Sequence, residues 1–254
     1  MLKLGRRELV QVALGGALLC GALLGTAESR KKASKVVSAP ATAEEMAIEG
    51  IAGQLDAPAC ERVLAKSQPD LKKCYDDVAS RMYFLSGHVE FKLFIGTDGK
   101  AKKIITQKSS VGSYEVEHCL LQTLAKLEYP AAKGGLGEIT YPMDFAGRGP
   151  LGVWGREQIG ENLDKEKKKL LGCQSKAKKP AGNDKRAMAE EMRLTMYVAP
   201  GGQVAAVGFS SPKDQLDDGV TACLDTKVRK LRLADPLGKI VKIEYSLSGQ
   251  GDGE

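Results

Sequence analysis

Hydrophobic residues recur along the chain with two periods, and the same order of periods runs twice. Cys60, Leu64, Leu71 and Cys74 stand at steps of 0, 4, 11 and 14, and Ile159, Leu163, Leu170 and Cys173 repeat those steps. Such steps keep to one face of an α-helix. Val89, Phe91, Leu93 and Ile95 then alternate with more polar neighbours, as do Met192, Leu194, Met196 and Val198. That is the period of a half-buried strand. Glycine corners come next in "GTDGKA" and "APGGQV", where Gly99 matches Gly202, and glycine takes positive φ at such a hairpin with little cost. Val116, Cys119, Leu120, Leu124 and Leu127 form a second helical set whose steps recur in Val220, Cys223, Leu224, Val228 and Leu231. Alternating runs close the copies: Ile139, Tyr141, Met143 and Phe145, then Val241, Ile243, Tyr245 and Leu247. The repeated unit is helix, strand, hairpin, strand, helix, strand. It predicts an α+β fold of two tandem units, each a three-stranded, mainly antiparallel sheet with two helices on one face.

The rest of the chain frames these units. Residues 1–27 read as a signal peptide, with a positive start "MLKLGRRELVQ", an apolar run "VALGGALLCGALL" and small residues before Glu28. Arg6-Arg7 resembles a twin-arginine signal, and Cys20 is a lipidation alternative weakened by the bulky Leu19 before it. Leu9 to Ala27 is also long enough to serve as an uncleaved single-pass inner-membrane anchor. Each alternative places residues 28–254 outside the cytoplasmic membrane, periplasmic or elsewhere in the envelope. Residues 28–55 read as a flexible polar tether, 56–146 as the first domain, 147–156 as a Gly-rich linker, 157–248 as the second domain and 249–254 as a tail.

The cysteines obey the repeat. Cys74 and Cys173 occupy equivalent first helices, and Cys119 and Cys223 equivalent second helices. Two helices on one face of a small sheet bring their flanks within the ~4.4–6.8 Å Cα separation of a disulfide. The expected bonds are Cys74–Cys119 and Cys173–Cys223, which suit an exported protein. Cys60 is left over, its counterpart being Ile159. It is expected to be a buried thiol, against a bond to another chain or a shuffled bridge.

The same repeat weighs against a reactive centre. His118 precedes Cys119, but Ala222 precedes Cys223, so the histidine is not kept with the sulfur. The chain has two histidines, His88 and His118, and no C-x-x-C pair, which leaves a structural zinc without its usual ligands. No phosphate-cradling glycine loop leaves a strand and opens a helix. No catalytic, metal or cofactor-binding residue is expected, and the chain is expected not to be an enzyme. Thiol–disulfide exchange through Cys60 is the alternative. The formal charge of +6 with 5% aromatic residues argues against stacking on nucleic acid. One basic run, Lys165, Lys167, Lys168, Lys169, Lys176, Lys178 and Lys179, is a candidate surface for an anionic glycan, a lipid or an acidic partner.

"LKKCYDDV", "SGHVEFKLFIGTDGKA", "VEHCLLQTL" and "LEYPAAKGGLGEITYPMDF" together resemble the AgmX/PglI C-terminal domain family, a relative of the TonB C-terminal domain. The resemblance covers about residues 60–145. Residues 159–248 keep the cysteines and patterning but lack the "CY" and "YP" pairs, and look like a degenerate copy. The resemblance implies a small α/β sandwich serving protein interaction in the envelope. Its further alternative is a component of a TonB-like or gliding-motility machine. The proline-rich arm of TonB has no counterpart here.

TonB-like sheets accept partner strands by β-augmentation, through backbone hydrogen bonds. The closing strand of the first unit holds Pro142, whereas "KIVKIEYSLS" has none. Lys239, Val241, Ile243, Tyr245 and Leu247 are therefore the expected partner-binding strand, with Lys239, Lys242 and Glu244 as guards against aggregation. Replacing Ile243 with proline is expected to abolish capture and spare the fold.

Overall fold

A computed structural model describes residues 53–176 and 191–248. Segments 1–52, 177–190 and 249–254 lie outside the described residues, and with them the signal or anchor, Cys20, most of the tether, Lys178, Lys179 and the tail. Among the described residues, no helix is long and apolar enough to cross a membrane.

The chain is α+β, with the connectivity α-β-β-α-β written twice. The first copy runs α1 (Ala57–Ala79), β1 (Gly87–Ile95), β2 (Ala101–Ser109), α2 (Tyr114–Lys126) and β3 (Gly137–Phe145). The second runs α3 (Arg156–Leu171), a 3-10 turn, β4 (Glu191–Ala199), β5 (Gln203–Ser210), α4 (Asp218–Val228) and β6 (Val241–Ser248). Each copy folds into a three-stranded antiparallel sheet, in the orders β2-β1-β3 and β5-β4-β6. In each copy the first strand is central: a hairpin sets its second strand on one side, and the following helix crosses over to bring the third strand to the other.

Local chemistry sets the helix ends. Asp56 accepts from the Ala59 N–H at the start of α1, Ser113 caps α2, and Asp217 accepts from Gly219 and Val220 at α4. Each satisfies donors that a helix start leaves unpaired. The hairpin glycines take φ of 71° at Gly99 and 72° at Gly202. A Cβ on Gly99 would stand 2.4 Å from the Tyr129 carbonyl oxygen, and one on Gly202 1.9 Å from that of Leu233. The same segments donate back, Tyr129 N–H to Gly99 O and Leu233 N–H to Gly202 O, both at 2.9 Å. The duplication therefore extends to individual backbone contacts.

In the first core, Cys60, Leu64, Leu71 and Val78 of α1 meet Val116, Leu120 and Leu124 of α2 over Val89, Phe91, Leu93 and Ile95 of β1. The second core joins Leu163 and Leu170 of α3 with Val220, Leu224 and Val228 of α4 over Met192, Leu194, Met196 and Val198 of β4. The structure joins Cys74 to Cys119 and Cys173 to Cys223, with Cα separations of 5.6 and 5.7 Å. Each bond ties the two helices of one copy together.

The other face of β4 departs from simple alternation. Thr195 and Tyr197 are buried too, because the first copy lies on them. The Tyr197 hydroxyl donates to the Ser86 carbonyl at 2.9 Å and accepts from the Ser86 N–H at 3.0 Å. Lys242 donates to the same carbonyl at 2.8 Å, and the Thr195 hydroxyl to that of Ser109 at 3.1 Å. Tyr197 and Ala206 belong to the first core although they sit on the second sheet. The two copies are thus welded, not strung.

Candidate functional site

Of the four sheet edges, two are engaged by hydrogen bonds and a third is interrupted by a proline. At the β5 edge, the Arg229 guanidinium donates to the Ala205 carbonyl at 2.8 Å, and Ser211 N–H reaches Thr106 O of β2 at 2.9 Å. Between them the Glu117 carboxylate of α2 accepts from the Phe209 N–H at 2.7 Å and from the Ser109 hydroxyl at 2.5 Å. Glu117 is 3% exposed, and burial pushes its carboxyl up to about 7 against the pull of those donors. Gly208 makes the room: a Cβ there would stand 2.1 Å from a Glu117 oxygen. The β2 edge is engaged at Thr106, and its earlier part lines a groove of only ≈ 140 Å³ under α2 and residues 215–218. The β3 edge carries Pro142, opposite Glu90, which removes a backbone donor from the middle of the strand.

The β6 edge differs. Gly152 of the interdomain linker donates to the Ile240 carbonyl at 2.8 Å and forms a parallel bridge with Val241. That contact fixes which way the backbone points. Val241 pairs inward with Val198, so Lys242, Glu244 and Ser246 turn their N–H and C=O groups outward. Lys242 lies within reach of the Gly152 bridge. Beyond it, among the described residues, no strand pairs with the outer side of Glu244 and Ser246. A short open edge remains.

Most of the residues expected to bind a partner turn inward from this edge. Val241, Ile243 and Leu247 are 0–2% exposed and pack on α3 and α4 in the second core. The Tyr245 hydroxyl donates to Asp164 of α3 at 2.8 Å. Lys239 precedes the strand and is exposed. The guard role assigned to Lys242 also gives way, since its ammonium reaches Ser86 O and lies 5.6 Å from the Tyr197 ring centre. Desolvation holds its pKa below the ordinary lysine value. Ile243, opposite Met196 and 2% exposed, cannot take proline without breaking the sheet. Ser246 is a position whose N–H points outward.

Of the basic run, Lys165, Lys168, Lys169 and Lys176 are exposed, Lys165, Lys168 and Lys169 on the outer side of α3. Lys169 pairs with Glu166 at 3.4 Å, and Lys167 is half-buried. The patch is present as a helix face, with its own acids interleaved.

The residues that could carry chemistry are apart. His88 pairs with Asp144 at 2.9 Å on the exposed face of the first sheet, and His118 stands 4.0 Å from Asp218. Among the described residues, no three histidines, cysteines or acids gather as metal ligands. A groove of ≈ 580 Å³ runs between α2 and α4, but its cations are matched, Arg81 with Glu115 and Arg229 with Asp225. Cys60 is fully buried, and burial, helped by Asp56, pushes its thiol up to about 11. Glu117 is the residue that the helical pattern hid. The glycine in β5 that faces it was the available signal. Comparison of the chain with protein-family models, curated proteins and solved structures finds no match.

Proposed function

We propose that the chain is a non-catalytic binding or scaffold module of the cell envelope, which takes up an extended partner segment along the outer edge of β6. The single observation that carries this reading is the state of the edges. Arg229 and Glu117 engage β5, the Ser211–Thr106 bond engages β2 and Pro142 interrupts β3, whereas Glu244 and Ser246 present outward backbone groups with no strand on them among the described residues. Strand addition draws its affinity from such groups. Two disulfides, tying helices in each copy, suit an oxidising compartment. That agrees with export through residues 1–27, either removed or retained as an anchor. The paired α-β-β-α-β topology is consistent with tandem TonB C-terminal-like units of the AgmX/PglI kind, the second degenerate. A place in a TonB-like or gliding-motility machine rests on that resemblance alone.

Thiol–disulfide exchange is disfavoured by Cys60, because an attacking sulfur must be an accessible thiolate and this one is buried with a raised pKa. The test is capture from envelope extract by the full chain and by Ser246→Pro. Proteins retained by the native chain and lost from the variant support the reading. Identical capture by both overturns it.

A further inference from the structure

The partner that fits this edge is basic, as the charges around it indicate. α3 lies over β6, and the Tyr245 hydroxyl bound to Asp164 identifies the side of the helix that overhangs the strand. Glu157 and Glu161 fall seven and three residues before Asp164, so they share that side. All three are exposed. On the opposite face of the sheet the exposed Glu244 carboxylate projects from the open edge itself. Four carboxylates thus flank the two residues that offer free backbone groups. The cations nearby are fewer than these acids or occupied. Among the described residues, Lys165 and Lys168 follow Glu161 and Asp164 by four places and share their side. Lys239 is exposed before the strand, at the end that Gly152 occupies. Lys242 is bound to Ser86, and Arg193, opposite Ser246, pairs with Glu191 at 2.8 Å.

We infer that β6 takes an extended peptide with lysine or arginine at successive positions, its backbone bonded to Glu244 and Ser246. The parallel bridge at Gly152 occupies the start of the edge, so the peptide docks from Glu244 onward. Its side chains alternate between faces. Those on one face meet Glu157, Glu161 and Asp164, and those on the other meet Glu244. An acidic peptide would set like charges against each face, which costs affinity.

This inference rests on the strand-addition reading, and the experiment separates the two. Two seven-residue peptides, one alternating lysine with valine and one alternating glutamate with valine, are titrated into the full chain while the β6 amides are followed by NMR. The lysine peptide is expected to perturb Glu244 and Ser246 and to bind about tenfold more tightly at low salt, an advantage that shrinks as salt screens it. Ser246→Pro abolishes its binding. Glu157→Gln with Glu161→Gln weakens it severalfold, and these exposed positions keep the test valid should the proline variant unfold. Equal or tighter binding of the glutamate peptide at β6 overturns the charge assignment and keeps the edge reading. If neither peptide perturbs β6, or if the lysine peptide binds the folded Ser246→Pro chain unchanged, both fall.

Discussion

Glu117 shows how a single side chain couples the two copies. Its folded pKa is raised to about 7 by burial, above the usual carboxylate value of about 4.3, so the fold favours the protonated form. Stability from this group is therefore fully present below about pH 4.3, declines as the pH rises through 7, and is level above that. The urea midpoint of the native chain should fall across this window by the equivalent of up to about 4 kcal/mol, and Glu117→Gln should flatten that part of the curve. An unchanged slope in the variant would assign the titration elsewhere. Gly208→Ala, whose methyl would strike the carboxylate, should cost about 1–3 kcal/mol, and much less in a Glu117→Ala background, because the two residues share one space. Urea curves of the single and double variants measure that coupling. None of this was legible in the helix pattern, since an acid one step after Val116 reads as solvent-facing. Its burial comes from the second copy lying over it. A glycine inside an apolar strand does mark a close approach, and Gly208 is such a residue.

At the scale of elements, the duplicated helices, strands, glycine corners and both sulfur pairs were readable, because each leaves a periodic trace in one short segment. The second buried face of β4 was not. Alternation reports one apolar face, and Thr195 and Tyr197 bury the other with polar tips bonded to backbone of the first copy. The direction of the β6 backbone was equally hidden, since it follows from pairing with β4 and shows in the bridge to Gly152, some ninety residues earlier. It distinguishes two proline substitutions. Ile243→Pro removes an inward donor beside Met196 and should cost about 3 kcal/mol or more, whereas Ser246→Pro should leave the thermal midpoint within a few degrees. Calorimetry of the two variants decides, and a stable Ile243→Pro would reverse the assigned orientation. Opening either disulfide by a pair of Cys→Ala changes should cost about 2–4 kcal/mol. Denaturant midpoints read that loss.

At the scale of the molecule, the weld makes one body of the two copies, and β6 keeps an open stretch of edge at Glu244 and Ser246 among the described residues. Tyr197→Phe strips the Ser86 N–H of its partner, which should cost about 1–3 kcal/mol, and the native chain should unfold in one transition by both fluorescence and circular dichroism. Separate transitions for the copies would contradict the weld. Amide hydrogen exchange along β6 tests the open edge most directly. The account predicts slow exchange at Ile243, Tyr245 and Leu247, whose donors pair with β4, and fast exchange at Glu244 and Ser246 until a lysine-rich peptide is added and protects them. Uniform protection along β6 without any peptide would show that the edge is already covered, and would contradict the account.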